Sequence, residues 1–269
     1  MIKNIWLILG PGGARMDFVA GWISNTFDNF IKYQWSIDAS NGKSWIFPTP
    51  HKHIDHDDNI TFDEIVKQCQ NEFKYSPDTT IVFPCHGFKL KEKLNQNHFK
   101  KYNFKFIKIN YSESNIPLIM WEGFIKNNYS AELSNPLFKM ANNVERLIRD
   151  YSSPWGILLT QENLLNQSLN YIKQFGYEII SLDFDEVIKT DGSYHILEKL
   201  NLPPVRVENH DFYNRNLRQS FSPESVTINN NEFNKKEFMK NFYTKKENFY
   251  TEKFFLENLE KEKFNNVNQ

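Results

Sequence analysis

The chain has 269 residues, 40% of them hydrophobic and 16% aromatic, with a formal net charge of -1. That size and apolar content suit one large α/β domain with a tail, and the near-neutral balance excludes a global drive toward nucleic acid or an anionic membrane. Two cysteines, Cys69 and Cys85, are too few for a disulfide framework and match no zinc spacing, so both are expected to be structural thiols in a reducing, cytoplasmic setting.

The first predicted element is a strand over Ile5-Trp6-Leu7-Ile8-Leu9, which breaks into Gly10-Pro11-Gly12-Gly13-Ala14-Arg15. A helix is then predicted from about Asp17, with Phe18, Val19, Trp22, Ile23, Phe27, Phe30 and Ile31 at helical spacing. A helix entered through a small-residue turn points backbone N–H groups and its positive dipole end at one place, where an anion can sit. The turn lacks both the G-x-x-x-x-G-K-[ST] and the G-x-G-x-x-G spacing, so it reads equally as a tight connection or a phosphate cradle. The apolar run before it is too short for a signal-peptide core, and no later stretch approaches a membrane span.

A His- and Asp-rich stretch follows from Pro48 to Asn59. The spacing of His51, His53 and His56 among Asp55, Asp57 and Asp58 fits neither a helical ligand pair nor a zinc finger, so a solvated loop is expected and no metal site. Thr61 to Tyr75 reads as a helix opened by Thr61 and Glu64 in capping-box spacing. Thr79 to Phe83 is a β-branched, buried-type strand ending at Pro84-Cys85-His86-Gly87, and Phe104 to Ile109 is another, ending at Asn110-Tyr111-Ser112-Glu113-Ser114. Both deliver polar loops at their carboxyl ends. Strands alternating with helices predict a parallel sheet whose ligands bind beyond those ends.

The middle reads as three helices, Pro117 to Asn128, Pro136 to Tyr151 and Gln161 to Phe175, the last closed by Gly176. A strand over Tyr177 to Phe184 and a short helix over Ser193 to Leu200 complete the α/β pattern. Asp183, Asp185 and Glu186 form an acidic turn, better suited to capping the next helix than to acid–base work. From Asn229 the chain turns to Asn, Lys, Glu and Phe, with an apolar face of Phe238, Phe242, Phe249, Phe254, Phe255 and Leu259. The expected organisation is therefore an α/β domain over residues 1–228 and a helical extension over 229–269, packed on the domain or on a second subunit.

In this order the elements resemble the sulfotransferases that use 3′-phosphoadenosine 5′-phosphosulfate, over roughly Ile5 to Thr227. Pro11-Gly12-Gly13-Ala14-Arg15-Met16 stands in the place of that family's phosphosulfate loop, P-K/R-S-G-T-T, with Gly12 on the basic position. Ile81-Val82-Phe83-Pro84-Cys85-His86 looks like the strand ending K-T-H, which puts His86 on the position of the general base and Pro84 in place of the lysine. Ile107-Lys108-Ile109-Asn110-Tyr111-Ser112-Glu113 is similar to the strand ending R-N-P-x-D, without its arginine. Ile180 to Leu202 looks like the late strand, acidic turn and short helix. Asn214 to Glu224 resembles the segment that closes over the nucleotide phosphates and offers Arg215 and Arg218.

The resemblance implies a three-layer αβα, P-loop-like domain with a central, mostly parallel sheet. It also implies donor contacts at Gly12, Gly13, Ala14, Arg15, Met16, Ser112, Arg215 and Arg218. The histidine His86 would accept the proton of a small-molecule or glycan hydroxyl, its ordinary pKa near 6.5 suiting that role, while arginines and backbone N–H groups stabilise the leaving phosphate. In this family the stretch between the first two helices often carries acceptor contacts, which gives the His-rich loop a second reading. Trp121, Trp155, Phe212 and Tyr213 are aromatic candidates for stacking on adenine or for the core. Two other functions compete: a binding or assembly module that lost catalysis, motivated by Gly12 and Tyr111 at basic positions, and a small-molecule kinase using ATP and magnesium.

Overall fold

The structure is a computed structural model that describes residues 2–32, 34–38, 42–46, 60–72, 75–87, 90–122, 153–221, 224–228 and 231–244. The expected helix Pro136 to Tyr151, the His-rich loop up to Asn59 and the tail beyond Thr244 lie outside these residues.

Four strands form one all-parallel sheet: β1 (Asn4–Leu9), β4 (Thr80–Cys85), β5 (Asn103–Asn110) and β6 (Ile179–Asp183), in the spatial order β4-β1-β5-β6. The registers Leu9↔Cys85 and Leu9↔Lys108 bring the carboxyl ends of β4, β1 and β5 level. Beyond β4 the sheet is extended by a parallel bridge between Phe30 and Thr80, with Ile31 N–H donating to the Thr80 carbonyl at 3.0 Å. The chain is therefore α/β, and β1 has a later strand on each side, which makes it the point where strand order reverses.

Side-chain alternation along β1 divides the core into two layers. Ile5, Leu7 and Leu9 face α2 (Phe62–Glu72), whose Phe62, Ile65, Val66 and Cys69 are buried there with Leu165, Leu169 and Ile172 of α6 (Ser153–Lys173). Ile8, with Val82, Ile107 and Leu182, faces α1 (Met16–Thr26), where Phe18, Val19, Trp22 and Ile23 are buried. The same layer contains α8 (Gly192–Leu200) and α9 (Val207–Ser220), through Ile196, Leu200, Tyr213 and Leu217. Helices thus cover both faces of the sheet, compatible with a three-layer αβα arrangement. Burying five or more large apolar side chains per layer, at about 1.5–3 kcal/mol each, supplies the main folding drive.

Among the described residues, the other strands and α-helices are a hairpin of β2 (Gln34–Asp38) and β3 (Gly42–Ile46), the short helices α3 (Leu90–Lys93) and α4 (Gln96–Lys101), α5 (Ile116–Met120), α7 (Phe184–Val187), a second hairpin of β7 (Ser225–Ile228) and β8 (Asn231–Asn234), and α10 (Lys235–Thr244). Several boundaries differ from the sequence pattern for local reasons. Helix α1 stops at Thr26 because Phe27 turns extended, at φ -109 and ψ 133, and Phe30 is used in the sheet bridge instead. Pro84 lies inside β4, where its missing N–H is tolerated. The extension expected from Asn229 opens with β8 before it becomes helical, so the boundary between 228 and 229 falls between two paired strands.

Other expectations are met in detail. Thr61 N–H donates to Glu64 at 2.8 Å and Glu64 N–H returns to Thr61 Oγ1 at 3.3 Å, the capping box read from the sequence. Gly176 takes φ 80 after α6, as its place at the helix end requires. No helix among the described residues is long and apolar enough to cross a membrane.

Candidate functional site

The glycine turn joins β1 to α1 at the carboxyl edge of the sheet. Gly10 N–H donates to the Cys85 carbonyl at 3.3 Å and Ala14 N–H to the Pro11 carbonyl at 3.1 Å, so the turn closes on itself beside the end of β4. Gly13 at φ 89 and Arg15 at φ 66 are left-handed. Only glycine does this at no steric cost, whereas Arg15 bears about 1 kcal/mol, offset by what its side chain gains below. Arg15 is the N-cap of α1 and makes no side-chain cap, which leaves the positive end of an 11-residue helix facing the turn.

The residue after β4 is His86, partly exposed. A Cβ placed on Gly12 would lie 3.6 Å from His86 Cε1, so the histidine and the turn share one site. Its neighbour Gly87 is fixed from behind: at φ 83 it accepts a hydrogen bond from buried Ser168 Oγ at 2.5 Å and packs against Leu165 of α6. The sheet register and α6 together set where the imidazole stands.

The loop after β5 leaves the sheet beside β1, on the side away from β4. Ser112 N–H and Oγ donate to Asn115 Oδ1 at 2.7 and 2.8 Å, and Asn115 Nδ2 donates to Asp185 Oδ1 at 2.6 Å. The Ser112 hydroxyl thus orders its own loop, and Asn115 ties that loop to the acidic turn after β6. Burial first, and then the Glu162 carboxylate of α6, push the pKa of Tyr111 upward and keep its phenol neutral. Asp183 accepts from Asp185 N–H at 2.9 Å, the capping role expected of the acidic turn.

Arg15 is buried, and its guanidinium is 2.9 Å from Glu122 Oε2, directly after α5. Phe221 covers it, 4.2 Å from guanidinium carbon to ring centroid. The other oxygen, Glu122 Oε1, is 3.3 Å from Lys235 Nζ at the start of α10. Burial lowers the pKa of Arg15, and Glu122 and then Asp17 oppose that shift. The turn's own cation is therefore engaged with a buried carboxylate.

Of the residues singled out in the sequence, Gly12, Gly13, Ala14, Arg15, Met16 and His86 gather at the ends of β1 and β4, and Ser112 follows β5 on the other side of β1. Arg215 and Arg218 are on the exposed side of α9, where Arg218 Nε donates to the Asn214 carbonyl at 3.3 Å and Arg215 lies 6.0 Å from the Phe212 ring. Tyr213 is fully buried, donates to the Val187 carbonyl and packs edge-on against Phe18 and Trp22, so it belongs to the core, as does buried Trp121. Glu122, Phe221 and Lys235 were not legible as site residues because they meet Arg15 only across more than a hundred positions of chain. Both cysteines are buried, and no disulfide joins them. No group of His, Cys, Asp and Glu suited to a metal occurs among the described residues.

No family model matches the sequence, and no curated protein or solved structure is significantly similar to it.

Proposed function

We infer that the crevice beyond β1, β4 and β5 is the site of a sulfotransferase-like enzyme of P-loop type that uses 3′-phosphoadenosine 5′-phosphosulfate. The observation that carries this reading is the approach of His86 to Gly12: a proton acceptor stands beside an anion-suited helix entrance, at the topological switch point of the sheet. The donor, when bound, supplies an activated sulfuryl group on a phosphate leaving group. Backbone groups from Gly12 to Met16 would hold its 5′ end, and Ser112 with Arg215 or Arg218 would complete the phosphate contacts. His86 takes the proton of the acceptor hydroxyl as the acceptor oxygen bonds to sulfur and the bond from sulfur to the phosphate oxygen breaks.

The test is transfer of radiolabelled sulfuryl from that donor to a panel of small-molecule and glycan hydroxyls. His86→Ala should retain donor binding and lose transfer; undiminished transfer removes His86 as the base. A second reading is a binding or assembly module without catalysis, favoured by the engagement of Arg15 with Glu122. It expects no transfer from the wild-type chain to any acceptor.

A further inference from the structure

Four stretches of chain meet around one carboxylate. Glu122, with no exposed side-chain surface, takes Arg15 of the glycine turn on Oε2 at 2.9 Å and Lys235 of α10 on Oε1 at 3.3 Å. The Phe221 ring faces both cations, with Arg15 at 4.2 Å and Lys235 at 5.4 Å. Lys235 is anchored separately: its N–H donates to the Glu224 carbonyl at 2.7 Å, and its ammonium lies 3.6 Å from the exposed Glu224 carboxylate.

A buried carboxylate cannot readily give up a counter-ion unless another remains. We propose that Lys235 is the reserve counter-ion of Glu122, so that docking of α10 and release of Arg15 toward an anion at the glycine turn favour each other. The inference rests on the anion-binding reading of that turn. When Arg15 swings to a phosphate, Lys235 keeps Glu122 compensated and Phe221 keeps a cation on its face. Lys235 is a positioning residue here: it acts on the ligand only through Glu122 and Arg15. Because linkage is reciprocal, ligand at the turn holds α10 more firmly in place.

The experiment is isothermal titration of the full chain with two probes, 3′-phosphoadenosine 5′-phosphate and inorganic pyrophosphate. It compares wild type, Lys235→Met, Glu122→Gln and the double variant, with Lys235→Gln replacing Lys235→Met if that protein does not fold. Loss of the Lys235 charge should weaken probe binding by about tenfold, within the usual range of such couplings. Glu122→Gln should bind at least as tightly as wild type, and the double variant should match Glu122→Gln, because a neutral amide needs no reserve cation. Equal binding by wild type and the Lys235 variant overturns the inference and leaves the anion site standing, as does weaker binding by Glu122→Gln. Binding by Glu122→Gln where wild type is silent also overturns it and leaves the anion site standing, since Arg15 is then locked by its partner although Lys235 is present. Silence of both overturns the anion site and this inference together.

Discussion

His86 faces Gly12 so closely that a Cβ on the glycine would lie 3.6 Å from His86 Cε1. That is ordinary contact distance, so Gly12→Ala should fold and change stability by no more than about 0.5 kcal/mol. Gly12→Leu should project its branched end into the same space and block the crevice. Thermal unfolding paired with titration of 3′-phosphoadenosine 5′-phosphate checks this: the leucine variant should keep a midpoint close to that of the alanine variant and lose ligand binding.

Gly87 is held between a left-handed φ of 83 and Leu165, whose Cδ1 would be 2.4 Å from a new Cβ. Gly87→Ala should therefore destabilise the fold by about 2 kcal/mol or more, combining backbone strain with overpacking. Adding Leu165→Ala should relieve the overlap and leave the backbone strain. Urea unfolding of the two variants beside Leu165→Ala alone separates these parts from the cavity left by the leucine, and a fully neutral Gly87→Ala would show that α6 does not fix the His86 loop.

Two histidines accept backbone N–H groups, which only a neutral imidazole nitrogen can do: Asn95 N–H donates to His98 Nδ1 at 3.0 Å and Asp183 N–H to His195 Nε2 at 3.2 Å. Burial is the main cause that lowers both pKa values below 6.5, with Asp63 opposing it at His98 and Glu186 opposing it at His195. The unfolded chain then binds more protons than the folded one as pH falls below about 6.5, so stability is present above that value and declines on acidification through the folded pKa values. Urea midpoints measured from pH 7.5 to 5 should fall. Replacing the pair by His98→Asn and His195→Gln, which keep an acceptor at each ring nitrogen's place, should flatten that slope.

Asn115 satisfies Ser112 through its oxygen and Asp185 through its amide nitrogen, so one side chain spans the ends of β5 and β6. Asn115→Ala should cost about 1–3 kcal/mol, the scale of leaving buried polar partners unsatisfied. Hydrogen exchange should show the loosening confined to the loop after β5 and the turn after β6.

The parallel core was readable because its strands are β-branched and apolar and its helices carry strong punctuation. Thr61 with Glu64 and Gly176 each have a local mechanism, and each appears as expected. The two hairpins were not readable: Trp35 and Trp45 occupy paired positions in one, yet their runs are short and polar, and the other is built from Ser225–Ile228 and Asn231–Asn234. The site divided along the same line. His86 and the glycine turn follow directly from strand ends, whereas Glu122 and Lys235 are brought to Arg15 by tertiary packing that no local pattern encodes.

The most direct measurement is a thermal-shift titration of the wild-type chain with 3′-phosphoadenosine 5′-phosphate, run beside ATP with magnesium and beside Gly12→Leu. A ligand confined to the native state raises the midpoint in step with RT ln(1 + [L]/Kd), so a sulfotransferase-like site gives a rise with the first nucleotide, little with the second and none in the variant. An unchanged midpoint with 3′-phosphoadenosine 5′-phosphate, or an equal rise in Gly12→Leu, would contradict it.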